Sequence, residues 1–166
     1  MLCGTVGVHA ATDPNVFLVN PVSNSTVTTN NLLISVKLTE PKTIKVRVWE
    51  KKQIVNGTLA AVNVSTLTDT NGSVNTSGFS EVIVDTALPF TSKNNLSFYT
   101  KQVSVSGPGL YRIEINTLDA TGKTTATNNS YVIVKEKAAA EAKIFDAPQS
   151  GTMQFLQNLL KNIFGE

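Results

Sequence analysis

The chain has 166 residues, of which 41% are hydrophobic and only 16% charged, and its formal net charge is +2. That length holds one domain with a sizeable core plus appendages, and with no dense Lys/Arg run the electrostatic footprint of nucleic-acid binding is missing. One cysteine, Cys3, and one histidine, His9, exclude a disulfide framework within the chain and leave no motif that asks for a cofactor.

Residues 1–10 form a short apolar stretch ending in Val8-His9-Ala10 before Ala11. Small or apolar residues at those spaced positions fit a signal-peptidase site, although a basic leading region is absent. The stretch is read as a residual signal peptide, removed after Ala10; an ordinary apolar N-terminal strand is the alternative. Lipidation of Cys3 is disfavoured, because Leu2 is a poor residue directly before a lipidated cysteine. No later apolar run approaches the ~20 residues that span a bilayer.

Asp13-Pro14 signals a turn, and Val16-Phe17-Leu18-Val19 before Pro21 predicts a short edge strand. Residues 23–31 read as polar turn material. Leu32, Ile34, Val36 and Leu38 alternate with Leu33, Ser35 and Lys37 in a second strand, and residues 43–51 form a third, with Ile44, Val46 and Val48 in one phase and Lys45, Arg47 and Trp49 in the other. Regularity then fades over residues 53–78 into a weak strand and a long connection, which in a compact domain is functional or hides an element. Residues 79–85 predict a strand broken by Leu88-Pro89. In residues 96–105, Leu96 and Phe98 occupy one phase and Tyr99, Val103 and Val105 the other, so a bulge near 99–102 is expected.

The clearest element follows. A Gly107-Pro108-Gly109 turn leads into Tyr111, Ile113 and Ile115 at every second position, and Asp119-Ala120-Thr121-Gly122 closes with turn chemistry. A last strand covers 124–134. Seven or eight short strands without a helical period predict an all-β antiparallel sandwich or barrel over residues 11–137.

Composition changes after Val134. Residues 136–143 approach helical spacer composition, with Lys137 and Glu141 four apart, and 138–149 are read as a spacer. In residues 150–166, Met153, Phe155, Leu156, Leu159, Leu160, Ile163 and Phe164 fall on one broad stripe, predicting an amphipathic C-terminal helix. About thirteen residues are marginal as an isolated helix, so three roles stay open: self-association or docking onto a partner, insertion at a membrane surface, and folding back over an edge of its own sandwich. The membrane is the weakest, since the helix lacks a cationic face.

The stretch 108–122, with the opening Asn20 to Val27 and the strand 32–38, resembles bacterial immunoglobulin-like, fibronectin-III-like and polycystic-kidney-disease-type domains, in which a Pro-Gly turn leads into an aromatic residue, alternating aliphatics and an Asp-x-x-Gly hairpin. The resemblance covers roughly residues 16–137. It implies an immunoglobulin-like β-sandwich of a secreted or cell-surface protein and is nearly silent on activity, since such domains serve adhesion, sugar binding, spacing and filament assembly alike. An outward-phase tryptophan on the third strand and the long middle connection depart from the pattern.

For chemistry, a mature chain without histidine or cysteine forfeits most catalytic arrangements, and the acids are scattered singly, so no catalytic or metal-ligating residue is expected. Asp69-Thr70-Asn71-Gly72-Ser73 offers alternate oxygen ligands but too few acids for calcium. Lys45, Arg47 and Trp49 share a strand face and form the candidate binding patch, an aromatic plate with two cations suited to a sugar ring or an acidic partner; the alternative is that a neighbouring strand or the 53–78 segment covers Trp49. Asn-x-Ser/Thr triplets start at Asn24, Asn56, Asn63, Asn71, Asn75, Asn95 and Asn128; in a eukaryotic secreted protein they would mean glycans, whereas in an Asn/Ser/Thr-rich bacterial surface protein they arise by chance, the reading the resemblance named above favours. The expected function is non-catalytic: the sandwich as spacer or binding face and the C-terminal helix for self-assembly or docking. A carbohydrate-binding module using Trp49 and an extracellular filament subunit assembled by edge-strand pairing are the rivals.

Overall fold

The structure, a computed structural model, describes residues 10–67 and 78–137. The proposed leader, the Asp69 loop, Asn71, Asn75, the spacer and the amphipathic C-terminal stripe lie outside the described residues. The chain divides into two compact units, Met1–Lys135 and Glu136–Glu166, and the first is the sandwich.

Among the described residues ten strands run in order: β1 (Val16–Asn20), β2 (Ser25–Val27), β3 (Asn31–Leu38), β4 (Thr43–Val55), β5 (Thr58–Ala61), β6 (Ser80–Thr86), β7 (Phe90–Thr91), β8 (Ser97–Ser104), β9 (Gly109–Leu118) and β10 (Thr124–Val134). A 3-10 turn, Val64–Thr66, follows β5 and is capped by the Asn63 side chain, which accepts from the Ser65 N–H. The smaller sheet has the order β1-β3-β8 and the larger β2-β10-β9-β4-β5, with β6 and β7 also on β4. All pairings are antiparallel except β2 on β10, which is parallel. Lys52 pairs with Ala61 of β5 and with Ser80 of β6, so those strands flank β4 on opposite sides.

The two sheets face each other because their strands alternate. Leu32, Ile34, Val36 and Leu38 of β3 are at most 1% exposed, and they pack with Ile44, Val46 and Val48 of β4 and Tyr111, Ile113 and Ile115 of β9 in one continuous core. Period-2 burial of this kind is the defining physics of a half-solvated antiparallel sheet. This strand order, with β9 and β4 central to the larger sheet and β1 and β2 divided between sheets, is immunoglobulin-like. At the start of β9 the buried Tyr111 turns its hydroxyl back to donate to the Gly107 carbonyl at 2.7 Å, the tyrosine-corner arrangement of such sandwiches. Burial pushes the Tyr111 phenol pKa up, so it remains a donor.

Several expectations need correction. No bulge interrupts β8: its register with β3 runs unshifted from Asn31↔Ser104 to Leu38↔Ser97. Tyr99, Lys101 and Val103 point inward, while Phe98 (54% exposed) and Leu96 (60%) face outward. Residues 25–27, read as turn, form β2, and the 53–78 connection begins with a hairpin in which Asn56 (φ 51°) and Gly57 (φ 77°) both adopt left-handed conformations, as a two-residue hairpin turn requires. The strand number exceeds expectation because β2, β5 and β7 have only three, four and two residues.

Two substitutions measure these features. Ile113→Ala should lower unfolding free energy by about 3 kcal/mol through lost transfer energy and a cavity. Tyr111→Phe, which keeps the ring but leaves the Gly107 carbonyl without its donor, should lower it by about 1 kcal/mol. Urea denaturation followed by tryptophan fluorescence checks both, and equal, negligible effects would contradict the packing described.

Candidate functional site: the outer face of the larger sheet

Residues of β4 that point away from the core are Lys45, Arg47, Trp49 and Lys51. Register places Lys45 beside Asn116, Arg47 beside Glu114 and Trp49 beside Arg112 of β9. Across the other edge of β4, Glu81 lies beside Lys51 and Ile83 beside Trp49, and β10 contributes Asn129 beside Glu114 and Tyr131 beside Arg112. Lys45, Arg47 and Trp49 therefore lie in one row, set within a wider field of polar side chains from four strands.

Arg112 is the centre of that field. Its Nε and Nη2 donate to Glu81 Oε1 and Oε2 at 2.6 and 2.8 Å, a bidentate pair, and its Nη1 donates to Glu114 Oε2 at 2.7 Å and Asn129 Oδ1 at 2.6 Å. Planar two-point pairing of this kind is stronger than a single ion contact. Lys51 Nζ reaches Glu81 Oε1 at 2.8 Å, and Arg47 Nη1 lies 3.5 Å from Glu114 Oε1. Asn116 donates to Glu114 and accepts from Thr127, which carries the chain of contacts from β6 to β10.

The electrostatics follow from this geometry. Hydrogen bonds from Arg112, outweighing burial and aided by Lys51, bring the Glu81 carboxyl down to about 2. Burial would by itself lower the Arg112 pKa, but its hydrogen bonds to Glu81 and Glu114 raise it above the ordinary guanidinium value.

The Arg112 guanidinium carbon also lies 5.4 Å from the Trp49 ring centroid, so the aromatic plate carries an intramolecular cation over its face. The indole is half-buried, and its Nε1 is buried with no hydrogen-bond partner among the described residues. Of the patch cations, Arg47 is directed to Glu114, whereas Lys45 has no ion-pair partner among the described residues. Near the start of β9 the same outer face is apolar: Val62 and Leu67, from the segment after β5, bury Leu110 and Ile133, with Val64, Phe79 and Tyr131 against them.

Two clusters escaped the sequence reading. Asp13, read only as a turn residue, is 8% exposed; its carboxylate accepts from Lys42 Nζ at 2.8 Å, Thr117 Oγ1 at 2.9 Å and the Asn15 N–H at 2.9 Å. Burial opposes ionisation there, but these donors prevail and its pKa is lowered. Glu50, 5% exposed, pairs with Lys52 Nζ at 2.6 Å. The Asp13 contacts with Lys42 and Thr117 are distant in sequence, whereas Glu50 and Lys52 are two positions apart on β4 and the acid in an inward strand phase offered a signal. Asn128, one of the triplet asparagines, donates its side-chain N–H groups to the Asp13 and Val16 carbonyls and accepts from the Asp13 N–H; its amide is engaged in holding the N-terminal segment to β10.

No family model matches the chain, and no curated protein matches it. Among solved structures it is similar to the CARDB domain of a Pyrococcus furiosus protein, crystallised in complex with di-metal ions. The identity is 14% and the TM-score 0.33, covering 74% of this chain and 90% of that one.

The lowered pKa of Glu81 predicts acid sensitivity of definite sign. A carboxylate depressed in the folded state contributes stability that is complete above its unfolded value near 4.5 and is lost as pH falls toward about 2. Arg112→Met should cost about 1–2 kcal/mol at pH 7, below the range for a fully buried pair because Glu81 keeps 25% of its side chain exposed. It should also flatten the stability profile between pH 5 and 2. Denaturation midpoints of both proteins across that window check this, and parallel profiles would contradict it.

Proposed function

We propose that the protein is a non-catalytic interaction and structural module working outside the cell, secreted or held at the cell surface. The sandwich serves as spacer and binding face, and the C-terminal segment 150–166 provides self-assembly or docking. The observation that carries this reading is the closed pairing on the larger sheet: Glu81 and Glu114 are held by Arg112, with Lys51 and Arg47 beside them. The Glu81 carboxylate, brought down to about 2, suits an internally paired outer surface rather than proton transfer, which needs a pKa near the working pH. The low charge, the abundance of Asn, Ser and Thr, and the immunoglobulin-like strand order support a surface role.

The rival carbohydrate reading needs the ring face of Trp49 for stacking, and Arg112 occupies a position over that ring. It is therefore the lesser reading for this patch. The role of the C-terminal segment rests on its sequence pattern, in which Leu156, Leu159, Leu160 and Ile163 share a stripe.

Solution mass by light scattering of the full chain and of its Leu156→Asp/Leu160→Asp variant tests the association role. The reading predicts that the variant loses an association, with itself or with a captured partner, while the sandwich keeps its melting temperature. Unchanged mass and partner capture would overturn that role. Protease treatment of intact producing cells tests location: the protein should be cleaved from outside, and full protection would place it elsewhere.

A further inference from the structure

An antiparallel sandwich has strand edges, and each edge must be covered or blunted or it pairs with another chain. On the larger sheet the edge of β10 is covered: Thr127 N–H donates to the Ala11 carbonyl, the Tyr131 carbonyl accepts from Asn24 N–H, and β2 pairs with Val132 to Val134. On the opposite side, β5 has four residues, and β6 is broken by a register shift, carries Glu81 and Asp85, and is followed by Pro89. In the smaller sheet, β1 has five residues with a register shift between Leu18 and Asn20, and Pro21 follows it.

The remaining edge lacks the covering, the brevity, the register shift and the proline, and keeps only a single charge. β8 is eight residues long, unshifted against β3, and free of proline. Its one charge, Lys101, points inward, where it pairs with Asp85 at 2.6 Å. Val105 N–H donates to the Asn30 carbonyl at 2.8 Å, so by antiparallel alternation Val103, Lys101, Tyr99 and Ser97 direct their backbone groups to β3. Phe98, Thr100, Gln102 and Ser104 therefore direct theirs away from the sheet, and β8 has no partner on that side among the described residues.

We propose that β8 is a homotypic interaction edge, pairing antiparallel with β8 of a second copy about a two-fold axis through Thr100. In this register Thr100 faces Thr100 of the partner and Phe98 faces Gln102, each pair exchanging N–H and C=O groups. On the inward side Tyr99 faces Lys101, so no like charges oppose, and Lys101 remains neutralised by Asp85. Moving the axis by one residue, a slide of two along the strand, would instead place Lys101 opposite Lys101, which like-charge repulsion disfavours. The pairing joins two three-stranded sheets into one. This deepens the reading of the protein as an assembling module, naming a contact on the sandwich itself that stands whether or not residues 150–166 associate.

Two full-length variants test it. In Thr100→Pro the lost N–H serves no intramolecular bond, and an edge proline is tolerated, so the melting temperature should stay within about 3 °C of wild type while the solution mass falls by half. In a Cys3→Ser background, Thr100→Cys should form an interchain disulfide on mild oxidation, since hydrogen-bonded opposite residues have Cα atoms about 5.5 Å apart; Thr26→Cys, exposed on the other sheet, should not. A Thr100→Pro protein that retains the wild-type mass, a wild-type chain that is monomeric at millimolar concentration, or equal cross-linking at positions 100 and 26 overturns the proposal. If Thr100→Pro fails to fold, the cross-link decides. Loss of association in Leu156→Asp/Leu160→Asp leaves the position-100 cross-link intact, which separates the two contacts.

Discussion

The inward row Tyr111, Ile113 and Ile115 is the constraint on which the rest of the structure depends. β9 pairs with β10 on one side and β4 on the other, so those side chains sit at the middle of the larger sheet and meet Ile34 and Val36 of the smaller one within a single core. At about 1.5–3 kcal/mol for each large apolar side chain removed from water, this row fixes which face of β9 is inside. It thereby fixes the facing of both neighbours, because a one-residue slip would turn every apolar group to solvent. The Tyr111 hydroxyl bond to Gly107 anchors the entry of the strand.

The consequence for function lies on the opposite face of the same strand. With Tyr111 and Ile113 inward, Arg112 and Glu114 must point outward, and their neighbours in register are Trp49, Arg47, Tyr131 and Asn129. The outer surface of the larger sheet is thus a by-product of core registration that has become a cross-strand network. Arg112 ties β6 to β9 and β10 while covering the indole of β4. A surface organised in this way is internally compensated in charge. The smaller sheet differs: Phe17, Leu33 and Phe98 are roughly half exposed on its outer side, and its β8 edge has no strand partner among the described residues.

The core strands were legible because period 2 is written in the side chains. β3, β4 and β9 alternate so strictly that their inward residues could be named from sequence, and the outward phase of Lys45, Arg47 and Trp49 came with them. The short strands were not legible, because Ser25-Thr26-Val27 and Phe90-Thr91 are strands only by virtue of a neighbour's backbone. β8 misled through Phe98: an aromatic residue in the polar phase looked like a bulge, whereas the exposed side of a three-stranded sheet simply tolerates it. The Asn56-Gly57 turn carried a readable signal that the low periodicity around it obscured. The Arg112 network and the contacts of Asp13 bring together residues up to 115 positions apart, and no local pattern encodes which acid meets which cation.

Hydrogen exchange on the native full-length protein tests the central claim most directly. If the β9 row organises the sandwich, the amides of Ile113 and Ile115 exchange only through global unfolding and are the slowest in the chain, while those of the β4–β5 hairpin tip around Asn56 exchange orders of magnitude faster through local opening. Exchange at Ile113 and Ile115 as rapid as at the hairpin tip would contradict the account.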